Sequence, residues 1–258
     1  MQSLVVHILS ASAVLFVNIA PALASDLARS APVISSTAAS VAEPAATARQ
    51  ATGYYLTGEE RVFTTFPIAP RLNSDRDHMD LLITLTVQSS RNADQVQEAK
   101  NDRRYSDAVK ALHHIVNPAF ETVYPETSEV TRLVKHVNDD GAMIMRALKK
   151  KNGRPRPYVQ HPGLVIPLFT VVDFSYPSGH ALGSELQARL LSELFPDHAP
   201  ALLEKAKVIA ASRVVAGVHY ESDIEAGLQL GDLIFCALKE NPKFVHDLDA
   251  AKAEIGKK

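Results

Sequence analysis

Three segments of this 258-residue chain combine residue types that can hold and transfer an anion. The first is Lys149, followed seven residues later by Arg156 and then Pro157. The second is Pro177-Ser178-Gly179-His180. The third is Ser212-Arg213, with His219 six residues beyond the arginine and Asp223 four beyond the histidine. From average residue usage, the first pattern arises by chance in on the order of one chain in twenty-five, and each of the others in on the order of one in a thousand. A lone His and Asp four apart would carry almost no information. The three patterns together, in this order, do.

The chemistry these residues can support is phosphoryl transfer. That reaction needs positive charge around three phosphoryl oxygens, an in-line nucleophile and an acid for the leaving group. Lys149, Arg156 and Arg213 supply full charges. Ser178-Gly179-His180 opens a predicted helix, where unpaired N–H groups and the positive end of the dipole face an anion. Gly179 lets that anion approach its amide closely. A neutral imidazole can attack phosphorus through one nitrogen while a carboxylate holds the proton on the other, a role His219 and Asp223 fit. His180 is then free to protonate the leaving oxygen. One neutral and one protonated histidine predict an optimum at about pH 5–6.5.

The elements that must position these groups are helical. Helical periodicity is found over 76–89, 94–103, 106–115, 128–150, 178–194, 200–217, 223–239 and 242–255. Only 164–172 looks extended, and Pro167 interrupts it. Lys149-Lys150-Lys151 before Asn152-Gly153 marks a helix C-terminus, with cations at the negative end of the dipole. Ser222 and Glu225 form a capping-box pattern that predicts a helix start at Asp223. Gly227 and Gly231 share a face with Asp223 and would admit a second helix at close range. Arg213 falls on the stripe of Leu202, Ala206 and Ile209, so an arginine points into the core and requires an anionic partner or an acid. No internal repeat is present. The expectation is all-α, a single helical-bundle domain over 51–258.

Composition bounds the rest. The chain is 46% hydrophobic and 22% charged, which excludes a disordered polymer and a polytopic membrane protein. Lys+Arg 27 against Asp+Glu 29 gives a net charge of −2, so no global field attracts nucleic acid or an anionic membrane. Cys236 is the single cysteine, which rules out an internal disulfide and any cysteine-rich metal site. Ile8 to Val17 is a short apolar run followed by Ala22-Leu23-Ala24, the pattern of a signal peptide over 1–24 with cleavage before Ser25. Ser10, Ser12 and Asn18 leave the run short of the roughly 18–20 apolar residues of a membrane anchor. Residues 25–50, rich in Ala, Ser, Thr and Pro, read as a flexible leader.

The constellation resembles the type 2 phosphatidic acid phosphatase superfamily and, within it, the class A bacterial non-specific acid phosphatases. The likeness runs from about Tyr55 to the carboxyl end. It includes Ser-Tyr-Pro-Ser-Gly-His at 175–180, Ser222-Asp223-Ile224-Glu225-Ala226, and the tail from Asn241-Pro242 to Ala251-Lys252-Ala253-Glu254. The resemblance implies a helical fold of the type shared with vanadium haloperoxidases. It also implies a phosphohistidine mechanism without metal or other cofactor, a periplasmic or secreted setting, and hydrolysis of varied small phosphomonoesters. By that likeness His219 is the nucleophile, Asp223 its orienter and His180 the general acid. Lys149, Arg156, Ser178, Gly179 and Arg213 match the phosphate-binding positions. No nucleic acid or stable membrane partner is implied, and a homo-oligomer is left open.

The chain departs from that pattern in two places. Relatives often carry aromatic residues where this chain has Lys-Lys-Asn-Gly-Arg-Pro at 150–155, which puts leaving-group preference in question. Some have cysteines where this chain has Val215, Ala216 and Val218. Three other readings compete with the phosphomonoesterase: a lipid phosphatase, a vanadate-dependent haloperoxidase and a non-catalytic phosphate binder. Other features read as structural. His113-His114 lack ligand spacing, Asp139-Asp140-Gly141 is too short for a calcium loop, Arg154 reads as a solvated or supporting charge, and Cys236 as a small buried hydrophobe.

Overall fold

The computed structural model describes residues 53–58 and 60–257. The expected signal peptide over 1–24 and leader over 25–50 lie outside the described residues. Among the described residues every regular element is a helix. In order these are α1 (Arg61–Thr64), α2 (Asp75–Ser90), α3 (Ala93–Asn101), α4 (Tyr105–Val116), α5 (Phe120–Val123), α6 (Glu129–Asn152), α7 (Pro157–Gln160), α8 (Gly179–Leu194), α9 (Ala199–Val215), α10 (Glu221–Lys239) and α11 (Pro242–Ile255). The eight long helices are those the periodicity predicts, with ends shifted by one or two residues. The one-turn helices α1, α5 and α7 have too few residues to show a period.

Helix α8 is the axis of the bundle. Ala181 to Ala188 are buried without interruption, so this helix is covered on all sides rather than along one stripe. Helices α6, α9 and α10 are its main neighbours, with α4 and α11 completing the shell. Close approach of α10 rests on its two glycines. A Cβ at Gly227 would lie 2.6 Å from the Ser178 carbonyl oxygen, and one at Gly231 2.7 Å from that of Leu182. Either clash would push the two helices apart and move Asp223 away from the N-terminus of α8.

Helix ends set the motif positions. Ser128 caps α6, whose apolar positions Val130, Leu133, Val137, Ile144 and Leu148 keep helical spacing and face the core. The helix stops at Gly153, which adopts a left-handed conformation (φ 60°) and donates to the Lys149 carbonyl. That turn redirects the chain so that Arg156 follows within three residues, at the N-cap of α7.

The structure corrects four sequence expectations. Helix α10 begins at Glu221, with Tyr220 at the N-cap, so Ser222 is not the cap. Its amide donates to Asp80 Oδ1 at 3.1 Å and its hydroxyl to Asp80 Oδ2, so a buried carboxylate from α2 takes the place of the local cap. Glu225 turns to Arg76 at 2.7 Å instead. Residues 164–172 form an irregular connection rather than a strand. Its amides are satisfied one at a time: Ile166 by Gln88, Leu168 by the Ala216 carbonyl and Val171 by the Tyr158 hydroxyl. Arg154 is buried, 3% exposed, and not solvated. Cys236 is exposed, because the inward stripe of α10 runs through Leu230, Gly231, Ile234, Phe235 and Leu238 and leaves it outside. Asp140 meanwhile accepts the amides of Tyr54, Tyr55 and Leu56 and pins the first described segment to α6.

Candidate active site

A cavity of about 270 Å³ opens where α6, α8 and the loop between α9 and α10 converge. Lys149, Arg156, Gly179, His180, Arg213 and His219 all line it. Residues separated by up to 70 positions in sequence are thereby brought to one wall. Ser178 and Asp223 lie behind that wall, both fully buried. The Ser178 amide donates to the Asp223 carbonyl at 2.9 Å, and its hydroxyl accepts from the Ala181 amide as the cap of α8. The free amides at this helix start are therefore those of Gly179 and His180. A Cβ on Gly179 would meet only ordinary contacts with Met145, at 3.5 Å or more, so protein packing does not demand a glycine here. The space is on the cavity side.

His219 is held at both ring nitrogens. Arg156 Nη1 lies 2.7 Å from Nε2, and Asp223 Oδ2 lies 3.2 Å from Nδ1. A guanidinium can only donate, so Nε2 is the acceptor and the ring proton sits on Nδ1, facing the carboxylate. Burial, reinforced by Arg156 and Lys149, keeps the His219 pKa well below that of a free imidazole. Nε2 thus carries the ring's lone pair, which accepts the Arg156 hydrogen bond until that donor is drawn to another acceptor.

Asp223 is itself fixed from several sides. Oδ2 accepts from the Tyr220 amide at 2.9 Å and from the Ser175 hydroxyl. Oδ1 accepts from Arg154 at 2.8 Å. Arg154 also binds Asp77 at 3.0 Å, Asp80 at 2.8 Å and the Ser222 hydroxyl at 2.8 Å, and its guanidinium stacks 4.1 Å from the centre of the Tyr220 ring. Burial opposes its charge, but Asp223 and Asp80 outweigh that and raise its pKa further. Three carboxylates from two helices therefore converge on one guanidinium. Sequence reasoning gave Arg154 as a solvated or supporting charge, of which the structure bears out the second, and did not identify Asp77, Asp80 or Ser175. The buried Asp77 and Asp80, three apart on α2, carry no motif that marks them as partners of Arg154, 77 and 74 positions away.

His180 is arranged differently. It hydrogen-bonds the Asp102 backbone, while Nε2 is buried and has no hydrogen-bond partner among the described residues. Its ring meets Tyr105 edge-on at 5.8 Å. Burial, then Arg213, lower its pKa to about 3. Arg213 is 1% exposed; it donates to the Ala99 carbonyl at 2.8 Å and to the Ser212 hydroxyl, and lies 5.6 Å from the Phe169 ring centre. Burial lowers its pKa to about 10 and Asp102 partly restores it. Burial, with Arg156 next to it, brings Lys149 down to about 8. Four cations (Arg103, Lys149, Arg156 and Arg213), one carboxylate (Asp173) and two neutral histidines thus line one small space, whose excess of positive charge suits an anion with several oxygens. The remaining wall is largely apolar, from Ala142, Met145, Phe169, Val171, Leu182 and Leu186.

With this geometry in place, comparison with known proteins shows what the chain is similar to. Residues 141–243 match the PAP2 superfamily model, and all eight candidate site residues fall within that match. The chain is 37% identical over 83 residues to the acid phosphatase of Zymomonas mobilis subsp. mobilis, covering 32% of this chain and 31% of that protein. It is 29% identical over 169 residues to the non-specific acid phosphatase of Providencia stuartii, covering 61% of this chain and 68% of that protein. Among solved structures, a bacterial vanadium-dependent iodoperoxidase superposes with a TM-score of 0.58 at 18% identity, over 74% of this chain and 54% of that one. That likeness is one of fold, and it agrees with the all-helical architecture. Among the described residues, no helix is long and apolar enough to cross a membrane.

Proposed function

We propose that the protein is an acid phosphatase, a phosphoric monoester hydrolase that works through a covalent phosphohistidine without a metal or other cofactor. The observation that carries this reading is the tautomer of His219, with an unprotonated Nε2 beside the cation Arg156 and Nδ1–H held by Asp223. A phosphate binder needs cations, but it needs neither an oriented nucleophilic nitrogen nor an unpartnered second imidazole. The relatives named acid phosphatase support the same reading.

The steps follow from the geometry. The phosphoryl group enters between Lys149, Arg156, Arg213 and the amides of Gly179 and His180. As Arg156 Nη1 shifts its hydrogen bond from Nε2 of His219 to a phosphoryl oxygen, the released lone pair forms the N–P bond while the bond from phosphorus to the ester oxygen breaks, and Asp223 stabilises the charge that develops on the ring. His180 gives its proton to the departing oxygen. Water then attacks phosphorus, His180 takes up the water proton, the N–P bond breaks and inorganic phosphate leaves.

The structure refines the proton inventory. With a pKa near 3, His180 is neutral in the free protein at pH 5–6.5. A bound phosphoryl dianion offsets the neighbouring cations and favours protonated His180. A substrate monoanion bringing one proton to neutral His180 has the same composition as a dianion meeting protonated His180. Activity is therefore set by the substrate's second ionisation, with a pKa of about 6, and falls above it.

The apolar run at 8–17 and the Ala-Leu-Ala that follows support export to the periplasm or medium. The test of function is a panel of initial rates on aryl, sugar and nucleotide monophosphates, with and without chelator, for the wild type and His219→Ala. Turnover resistant to chelator and abolished in the variant is expected. Phosphate binding without turnover of any ester would show a binder instead.

A further inference from the structure

The geometry points to Asp173 as a resident competitor for the phosphate site, a carboxylate that occupies two of the site's cations and weakens retention of substrate and product phosphate alike. This inference rests on the proposed phosphate site but not on the chemistry of turnover. Asp173 Oδ1 accepts from Arg156 Nη2, and Oδ2 lies 3.4 Å from Lys149 Nζ, so one carboxylate bridges both groups. It is the only partner recorded for Nη2 among the described residues; the Nη1 side is taken by His219 and the Val218 carbonyl at 2.8 Å.

The carboxylate is not needed to aim the cations. The Asp173 carbonyl accepts Arg156 Nε at 2.9 Å, Val218 fixes Nη1, and the carbonyls of Phe174 and Ser175 hold Lys149. These backbone contacts stay in place if the Asp173 side chain turns away. Its side chain is 50% exposed, against 4% for Arg156 and 7% for Lys149, so it alone of the three has water to move into. A phosphoryl group with three oxygens can take over Nη2 and Nζ together, whereas the tethered carboxylate matches them with two. A tethered competitor acts at a high effective concentration, so every incoming anion binds less tightly by the same factor. Product phosphate is included, which limits self-inhibition.

The experiment compares wild type, Asp173→Asn and Asp173→Ala, using calorimetric titration with inorganic phosphate and steady-state hydrolysis of an aryl phosphate. In both variants the phosphate dissociation constant and KM are expected to fall together, by about three- to tenfold, with kcat/KM rising accordingly. Unchanged or weaker phosphate binding, or a fall in kcat/KM in both variants, would overturn the inference and make the carboxylate a support for Lys149 and Arg156. Tighter phosphate binding by variants of a protein that hydrolyses no ester would sustain it while sinking the proposed activity. Full hydrolysis with no tightening would do the reverse.

Discussion

Arg156 donates to Nε2 of His219 across 2.7 Å, and that single contact fixes which nitrogen of the ring is unprotonated. The proton is left on Nδ1, 3.2 Å from Asp223, and the lone pair of Nε2 is held by Arg156. The same guanidinium that would bind a phosphoryl oxygen thereby holds the ring in its reactive form.

Asp223→Asn should disrupt this form. An amide nitrogen turned toward Nδ1 would donate to it and move the ring proton to Nε2, the attacking position. By comparison with the corresponding change in a Ser-His-Asp triad, kcat is expected to fall by on the order of 10³–10⁴ while phosphate binding changes little. Steady-state rates and phosphate titration on the same preparation measure both.

Arg154→Met is expected to destabilise the fold as well as activity. Asp77, Asp80 and Asp223 would remain buried without their shared partner, a loss of about 3–5 kcal/mol for removing one member of a buried ionic cluster. Arg154→Lys keeps the charge but cannot reach four acceptors with one planar fork, so it should recover stability only in part. Urea denaturation of the three proteins separates these outcomes.

Gly179→Ala should behave in the opposite way. The added methyl group fits against Met145 in the protein, so the midpoint of unfolding should stay within about 0.5–1 kcal/mol of wild type. The methyl also faces the cavity, and phosphate affinity and kcat/KM should both fall at least tenfold, the loss of one close hydrogen bond to an anion. Strong loss of stability with normal phosphate binding would show that the glycine serves packing.

The lowered pKa of His180 has a stability signature of defined sign. Below about pH 6.5 the unfolded chain binds a proton at this position that the folded chain does not take up until about pH 3. Stability therefore falls as pH drops through that window, by about 1.4 kcal/mol per pH unit at most. Glu221, raised to about 7 chiefly by burial and then by Glu225, contributes with the opposite sign between its ordinary value and 7. Comparing wild type with His180→Gln cancels that contribution. The wild type should lose stability relative to the variant on going from pH 7 to pH 4, and a difference independent of pH would contradict the burial of a neutral His180.

The long helices and the three motifs were legible in the sequence because both are local patterns. Leu202, Ala206, Ile209 and Arg213 announce their face by spacing alone, and Gly227 with Gly231 announces a close helix contact. Partners that depend on tertiary approach were not legible. Asp77 and Asp80 look like ordinary acids near the start of α2, yet both enclose Arg154 and Asp80 takes the place of the expected Ser222 cap. Asp173 looks like a loop carboxylate until folding sets it on Lys149 and Arg156. The misplacement of Cys236 has a plainer cause: one position on an apolar helix separates the buried stripe from solvent.

The central claim is a covalent bond between phosphorus and Nε2 of His219. Rapid quenching of the wild-type protein during hydrolysis of a phosphorus-labelled aryl phosphate, followed by peptide mapping, tests it directly. The account predicts a label that is labile in acid and stable in base, located on His219 and missing from His219→Ala. Undiminished turnover with no trapped label in the wild type, or a label that persists in His219→Ala, would contradict it.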